Sequence, residues 1–142
     1  MSFLLDTNVV SEWARPSPDP GVVRWLADMD EDRAFLSVVT LAELRHGVDR
    51  LADGARRTRL DSWLAQDLVS RFEGRILPVD QSIADLWGRL VARREAAGRP
   101  ISSMDAFLAA TAERHALTLV TRNTDDFDSL GLSLENPWVR HE

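Results

Sequence analysis

The stretch Pro100–Asp128, PISSMDAFLAATAERHALTLVTRNTDDFD, reads as a cap, a helix, a strand and an acidic turn in immediate succession. Asp105 opens the helix, and from Met104 the apolar positions recur at Leu108 and Ala112, the spacing of one helical face. Ala106, Ala109 and Ala110 leave little bulk between this helix and its neighbour. Leu117–Thr121 is a short, β-branched run bounded by the turn-prone Arg122–Asp126, the pattern of a buried parallel strand. Two acidic spots, Asp105 and Asp125/Asp126, thus fall on a helix and on the loop after the strand that follows it.

Outward from this stretch the same alternation holds. Phe3-Leu4-Leu5 is a brief apolar strand ending in Asp6-Thr7-Asn8, and Val9, Val10 and Trp13 follow at helical spacing. Asp19 is placed to cap a helix begun by Pro20 and carrying Val23, Leu26 and Ala27 on one side, as helix starts favour. The acidic run Asp28–Asp32 reads as a solvated loop. Ala34–Val39 predicts a second strand, followed from Thr40 by a helix whose buried stripe is Leu41, Leu44, Val48 and Leu51. Glu43 lies off that stripe beside His46, Gly47 and Arg50, so its carboxylate faces solvent or a groove. Arg56–Phe72 predicts one amphipathic helix through Leu60, Trp63, Leu64, Leu68 and Phe72, stopped by Gly74. Ile76–Val79 predicts a strand that Pro78 sends to an edge, because proline cannot donate to a ladder. Asp80–Ala97 predicts a helix with Ile83, Leu86, Trp87, Leu90 and Val91 as its stripe, ended by Gly98, and Leu132–Leu134 a last strand. The fold predicted is α/β, a three-layer α/β/α sandwich with a central parallel sheet of about five strands, in a single domain over residues 1–142 with right-handed crossovers.

Over 142 residues, 44% hydrophobic and 28% charged, the composition is that of an ordinary soluble domain with one core. Cysteine is absent, which excludes disulfides and thiolate metal sites and suits a reducing compartment. No apolar run approaches the roughly 18 residues of a membrane span, and the start lacks a leader pattern, so a cytoplasmic location and no membrane partner are expected. The net charge of -6 argues against gripping nucleic acid by bulk positive charge. All 17 basic residues are arginine. A polyanion would be held by a local rim instead: Arg45, Arg50, Arg56, Arg57 and Arg59 on and after the Glu43 helix, and Arg89, Arg93, Arg94 and Arg99 before Asp105.

A parallel sheet brings every strand's C-terminal end to one edge, where ligand sites form. Asp6, Thr40-x-x-Glu43 and Asn123-x-x-Asp126 follow three strands to that edge, and Asp105 joins them if Pro100–Ser103 loops back to it. Thr40/Glu43, Ser102/Asp105 and Asn123/Asp126 also match or approximate capping boxes, whose acid only satisfies a backbone donor. Two considerations favour chemistry. Such boxes prefer Glu or Gln, whereas two of these use Asp, and Asp6 has no evident capping role. Converging carboxylates also repel; helix N-termini offset about 0.3–1 kcal/mol each, and a divalent cation would supply the rest. All-oxygen ligation suits Mg²⁺ or Mn²⁺ rather than zinc.

LLDTNVVSE at the start, SVVTLAELRHGVDRL in the middle and PISSMDAFLAATAERHALTLVTRNTDDF near the end resemble PIN-domain nucleases, in particular VapC-type and FitB-like toxin ribonucleases of type II toxin–antitoxin modules. The resemblance implies Asp6 and Asp105 as principal metal ligands and Glu43 as the third acid, with Asn123 or Asp126 at a fourth catalytic position. Thr7, Asn8, Ser103 and Asn123, together with Arg56, Arg57 and Arg59, are expected at the substrate. It further implies metal-dependent hydrolysis of RNA phosphodiesters, a homodimer with Trp13 and Trp63 as exposed apolar candidates, and a cognate antitoxin. The antitoxin would insert an arginine among the carboxylates and lay a helix in the groove beside residues 40–52 and 56–72.

Other readings compete. A phosphoryl-accepting receiver domain would need a lysine, and the chain has none. A non-catalytic PIN-like binding module would keep the acids only for caps and contacts, and a PIN nuclease could also act outside a toxin–antitoxin pair. His46 and His115 are too isolated in sequence for a base–nucleophile pair.

Overall fold

β1 (Phe3–Leu5) is the middle strand of a five-stranded, wholly parallel sheet. β2 (Ala34–Ser37) and then β3 (Ile76–Leu77) lie on one side of it, β4 (Thr118–Val120) and then β5 (Leu134–Glu135) on the other. Phe3 is in register with Ala34 and with Thr118. The coordinates are a computed structural model that describes residues 1–138; residues 139–142 of the span expected from sequence lie outside the described residues. The chain builds outward from β1 to β3 and then returns to β4 beside β1, so the strand order reverses between β1 and β4. In open α/β sheets that reversal opens the ligand crevice.

The helices are α1 (Thr7–Glu12), α2 (Pro20–Asp28), α3 (Val38–Asp49), α4 (Ala55–Ser62), α5 (Val69–Arg71), α6 (Gln81–Ala96) and α7 (Ser103–His115). Successive strand residues point to opposite faces, so Leu5 and Val120 join Val9, Val10, Leu36, Leu44, Leu64, Leu68 and Phe72 on one side. Leu4 and Leu119 join Leu90, Ala106, Leu108, Ala109, Ala112 and Phe127 on the other. Three layers result, as the alternation predicts. Small side chains let α7 sit closely against its surroundings: Ala106, Ala109 and Ala110 are fully buried. Among the described residues no helix is long and apolar enough to cross a membrane.

Several local expectations are corrected. β2 ends at Ser37, not Val39, and α3 starts at Val38 with the Ser37 hydroxyl accepting from the Val39 amide at 3.0 Å. In α2 the inward residue is Val22, with Trp25, Leu26 and Met29 packed beside it, while Val23 and Ala27 are exposed. The tail helps set this face, because a Cβ on Gly21 would stand 2.8 Å from the Pro137 carbonyl. Residues 55–71 form α4 and α5 joined through a π-helical turn, Trp63–Leu68, so the helix is widened mid-way instead of uniform. Leu64, Leu68 and Phe72 still face the core, since one extra residue in a turn rotates the remainder of the helix about its axis. Met104 is exposed at the start of α7, so the apolar face begins with Ala106. β3 is the expected edge strand but stops before Pro78.

Candidate active site

Asp6 leaves β1 at the point where the strand order reverses, and its amide donates to the Val120 carbonyl at 2.9 Å. One carboxylate oxygen, Oδ1, accepts from the Thr7 amide at 2.6 Å and the other, Oδ2, from the Thr121 hydroxyl at 2.7 Å. Thr121 Oγ1 in turn accepts from the Asn123 amide at 3.1 Å. Only 6% of Asp6 is exposed. Burial raises its carboxyl from 3.8 to about 6; the Thr121 and Thr7 hydrogen bonds oppose this, and the charges of Asp105 and Glu43 add to it. Asp6 does hold the N-cap position of α1, contrary to the sequence expectation. It is an atypical cap, because its oxygens serve Thr7 and Thr121 and not the second- and third-residue amides that caps ordinarily satisfy.

Glu43 lies within α3, and its Oε1 accepts from the Thr7 hydroxyl at 2.9 Å. Because α3 is capped by Ser37, Thr40 is a buried interior residue whose hydroxyl has no hydrogen-bond partner. The Thr40/Glu43 capping box therefore does not form, which leaves the carboxylate to the groove, as its position off the stripe implies.

Asp105 stands in the first turn of α7, where the Ser102 hydroxyl caps its amide at 3.2 Å. That half of a capping box is real. The Asp105 carboxyl is half-buried and raised by desolvation, against a hydrogen bond with Ser102 and with the Asp126 charge adding to the rise. Asp126 is exposed on a 3₁₀ turn, Thr124–Phe127, and its amide donates to the Asn123 carbonyl at 3.0 Å. The Asn123 side chain makes no cap bond, so this box is also absent.

Among the described residues none of Asp6, Glu43, Asp105 and Asp126 takes part in an ion pair. No three acidic or histidine side chains among them stand close enough together to hold a metal ion by themselves. Thr7 serves Glu43, Asn8 Oδ1 accepts from the Arg122 amide at 3.3 Å, and the Ser103 carbonyl accepts from Trp87 Nε1 at 3.1 Å.

The expected arginine rim divides. Arg56 lines a groove of about 490 Å³ with Thr7, Glu43, Leu44, Val48 and Trp63. Arg57 is turned to Asp53 at 2.8 Å and to the Leu51 carbonyl, and Arg59 is exposed on α4. Arg45 pairs with Asp49 and Asp61, Arg89 with Asp85, and Arg99 with Asp128. Arg94 is no rim residue at all: it is 6% exposed and donates only to backbone carbonyls. Trp13 and Trp63 are likewise partly buried against the core, not free apolar candidates. Sequence reasoning missed Thr121 and misplaced Arg94. The signals were a polar residue closing a buried strand, and a charged residue standing four after Leu90 on the α6 stripe.

Toxin FitB of Neisseria gonorrhoeae is 40% identical to this chain over 136 residues, 96% of the chain and 98% of the relative. VapC ribonuclease Y4jK of Sinorhizobium fredii is 36% identical over 96% of the chain and 97% of its own length. The solved structure of FitAB bound to a DNA fragment superposes with a TM-score of 0.92 at 36% identity, covering 99% of this chain and 98% of that one. With the PIN domain model matching residues 3–131, the chain belongs to the PIN domain family.

Proposed function

We propose that this chain is an endoribonuclease dependent on Mg²⁺ or Mn²⁺ and the toxin of a type II toxin–antitoxin pair. The observation that carries the reading is electrostatic. At the sheet's switch point the charges of Glu43 and Asp105 bear on the buried Asp6 and that of Asp126 on Asp105, none of the four is ion-paired among the described residues, and Asp6 is held up near 6 despite two hydrogen bonds to it. Full-length likeness to a protein named as a toxin and another named as a ribonuclease supports the same conclusion. Two of the three candidate capping boxes do not form, which weakens the alternative of a binding module that keeps its acids for caps.

The residues present fit a divalent cation. Their donors are all carboxylate oxygens, the ligand type of Mg²⁺, which usually keeps several waters and takes one or two carboxylates plus substrate phosphates. One or two of Asp6, Glu43 and Asp105 would bind it directly and the rest through its waters, with Asp126 near Asp105. Such a cation activates water and stabilises the leaving oxygen of a phosphodiester. The chain's own work is orientation: the Thr7 amide and Thr121 hydroxyl fix both oxygens of Asp6, and the Thr7 hydroxyl fixes one oxygen of Glu43. Asn8, Ser103 and Asn123 would border the RNA, and Arg56 is the rim arginine best placed for its phosphates.

The groove beside α3, α4 and the π-helical turn opens at Glu43 and is floored by Leu44, Val48, Leu51, Leu60 and Trp63. An amphipathic antitoxin helix fits such an apolar trough, with an arginine reaching the carboxylates. A homodimer remains part of this reading. In the decisive assay the purified chain cleaves RNA with Mg²⁺ or Mn²⁺ and not in chelator, and Asp6→Asn, Glu43→Gln and Asp105→Asn each stay folded and lose cleavage. Full activity in Asp105→Asn would overturn the site.

A further inference from the structure

Arg94 leaves the C-terminal turn of α6 and goes inward. Its Nε donates to the Arg99 carbonyl at 2.7 Å, while its two terminal nitrogens donate to the Asp128 carbonyl at 3.2 Å and the Asp126 carbonyl at 3.4 Å. Among the described residues no carboxylate is within ion-pair distance of it. Burying a guanidinium without a counter-ion carries a desolvation cost, which its bonds to three backbone carbonyls offset. The carbonyls it joins belong to two loops. One carries Asp126; the other, Arg99–Ser102, leads directly into the first turn of α7 and Asp105. Arg99 adds an outer tie from the same turn, pairing with the Asp128 carboxylate at 2.6 Å.

We propose that Arg94 is a positioning residue: its guanidinium sets the distance between the Asp105 and Asp126 segments and so the affinity of that side of the site for a divalent cation. This rests on the metal-dependent function proposed for the chain. The rigid, planar fork of arginine donors holds carbonyls on separate loops at a fixed spacing, whereas a lysine offers three donors from a single atom and an apolar side chain offers none.

The test compares Arg94→Met and Arg94→Lys with Arg75→Met. Arg75 also donates to several backbone carbonyls, those of Glu31, Ala34 and Arg71, but it precedes β3 at the opposite end of the strands, so it controls for lost packing and lost carbonyl bonds. Mn²⁺ binding to RNA-free protein is measured by calorimetry, and amide hydrogen exchange is followed over residues 99–102 and 123–128. Outer-shell partners of metal ligands commonly account for about 10–100-fold in affinity. Arg94→Met should weaken Mn²⁺ binding by about tenfold and speed exchange in both loops, Arg94→Lys should recover part, and Arg75→Met should leave Mn²⁺ binding unchanged. In cleavage, the loss in Arg94→Met should appear as a higher half-saturating Mn²⁺ concentration, with rate largely regained at excess Mn²⁺. Wild-type Mn²⁺ affinity and wild-type exchange in folded Arg94→Met would overturn the proposal, and if that variant does not fold, the same result in Arg94→Lys would. Should the wild-type chain bind no Mn²⁺, the metal reading fails while exchange alone decides the clamp: faster in both loops supports it, unchanged overturns it.

Discussion

The two sides of the acidic site are built by different means. Asp6 and Glu43 are held by side chains: Thr121 and Thr7 fix the first, Thr7 the second, and all of them stand at strand ends or on helices seated against the sheet. Asp105 and Asp126 are held mainly through their backbones, by the Ser102 cap, by the Asn123 carbonyl and by the carbonyl bonds of Arg94. Burial grades across the site: Asp6 is nearly enclosed, Glu43 and Asp105 are intermediate, and Asp126 is exposed. A site of this kind has one preset side and one whose geometry depends on loops, and the two sides should answer differently to the same kind of change.

The largest expected effect is at Asp6. Its folded value of about 6 lies above the ordinary 3.8, so the folded state holds that proton more tightly than the unfolded chain does. The stability it contributes is therefore complete below about pH 3.8 and lost as pH rises through about 6. The gap is worth about 3 kcal/mol at most. Asp6→Asn cannot titrate, so its stability relative to wild type should rise between pH 4 and pH 7 by about 2–3 kcal/mol, measured by urea unfolding, while cleavage falls by more than about 10²-fold. Asp105→Asn should gain less over the same range, since it is less buried. Saturating Mn²⁺ should erase the wild-type deficit, because a ligand at 100 times its dissociation constant stabilises by about 2.7 kcal/mol. Equal pH responses for Asp6→Asn and Asp105→Asn would remove the distinction between the two sides.

The preset side was also the more legible in sequence. Phe3-Leu4-Leu5 followed at once by Asp6 places an acid at a strand end with little ambiguity, and alternation of strands and helices was enough for the sheet. Glu43 was assigned to the right face for a partly wrong reason. Val38 and Val39 are apolar continuations of β2, and periodicity does not separate the end of a buried strand from the start of a buried helix. Only the Ser37 cap does, and it makes Thr40 interior. Thr121 and Arg94 escaped because their roles depend on partners 115 and about 30 residues away in the chain, and no local pattern encodes those. The basic count near Arg94 suggested a solvated rim; its place on the α6 stripe, which would have argued for burial, was the stronger signal.

A second contrast should be smaller. Thr121→Val removes a buried hydroxyl and leaves both Asp6 Oδ2 and the Asn123 amide without that partner, a loss of about 1–3 kcal/mol. Ser102→Ala removes an exposed cap from the Asp105 side, a loss of about 1 kcal/mol. Thermal unfolding of the two variants at one pH compares them directly. A Ser102→Ala loss matching or exceeding that of Thr121→Val would mean that the loop side is as firmly built as the strand side.

The finest comparison lies within the loop side, between Asp126 and Asn123. Asp126 acts on Asp105 through charge, whereas Asn123 contributes its backbone: its amide to Thr121 and its carbonyl to Asp126. Asn123→Ala keeps both backbone groups, so Asp105 titration and Mn²⁺ affinity should stay at wild-type values. Asp126→Asn removes one negative charge beside Asp105, with two consequences of opposite appearance. Without metal, Asp105 should titrate lower, because a repelling neighbour is gone. With metal, affinity should fall by about 2–5-fold, the scale of a solvent-exposed charge interaction of up to about 1 kcal/mol. Carboxyl-carbon NMR follows the first and calorimetry the second. If Asn123→Ala instead weakens Mn²⁺ binding more than Asp126→Asn does, the fourth position belongs to the asparagine side chain, and Asp126 is a bystander on the turn that Arg94 holds.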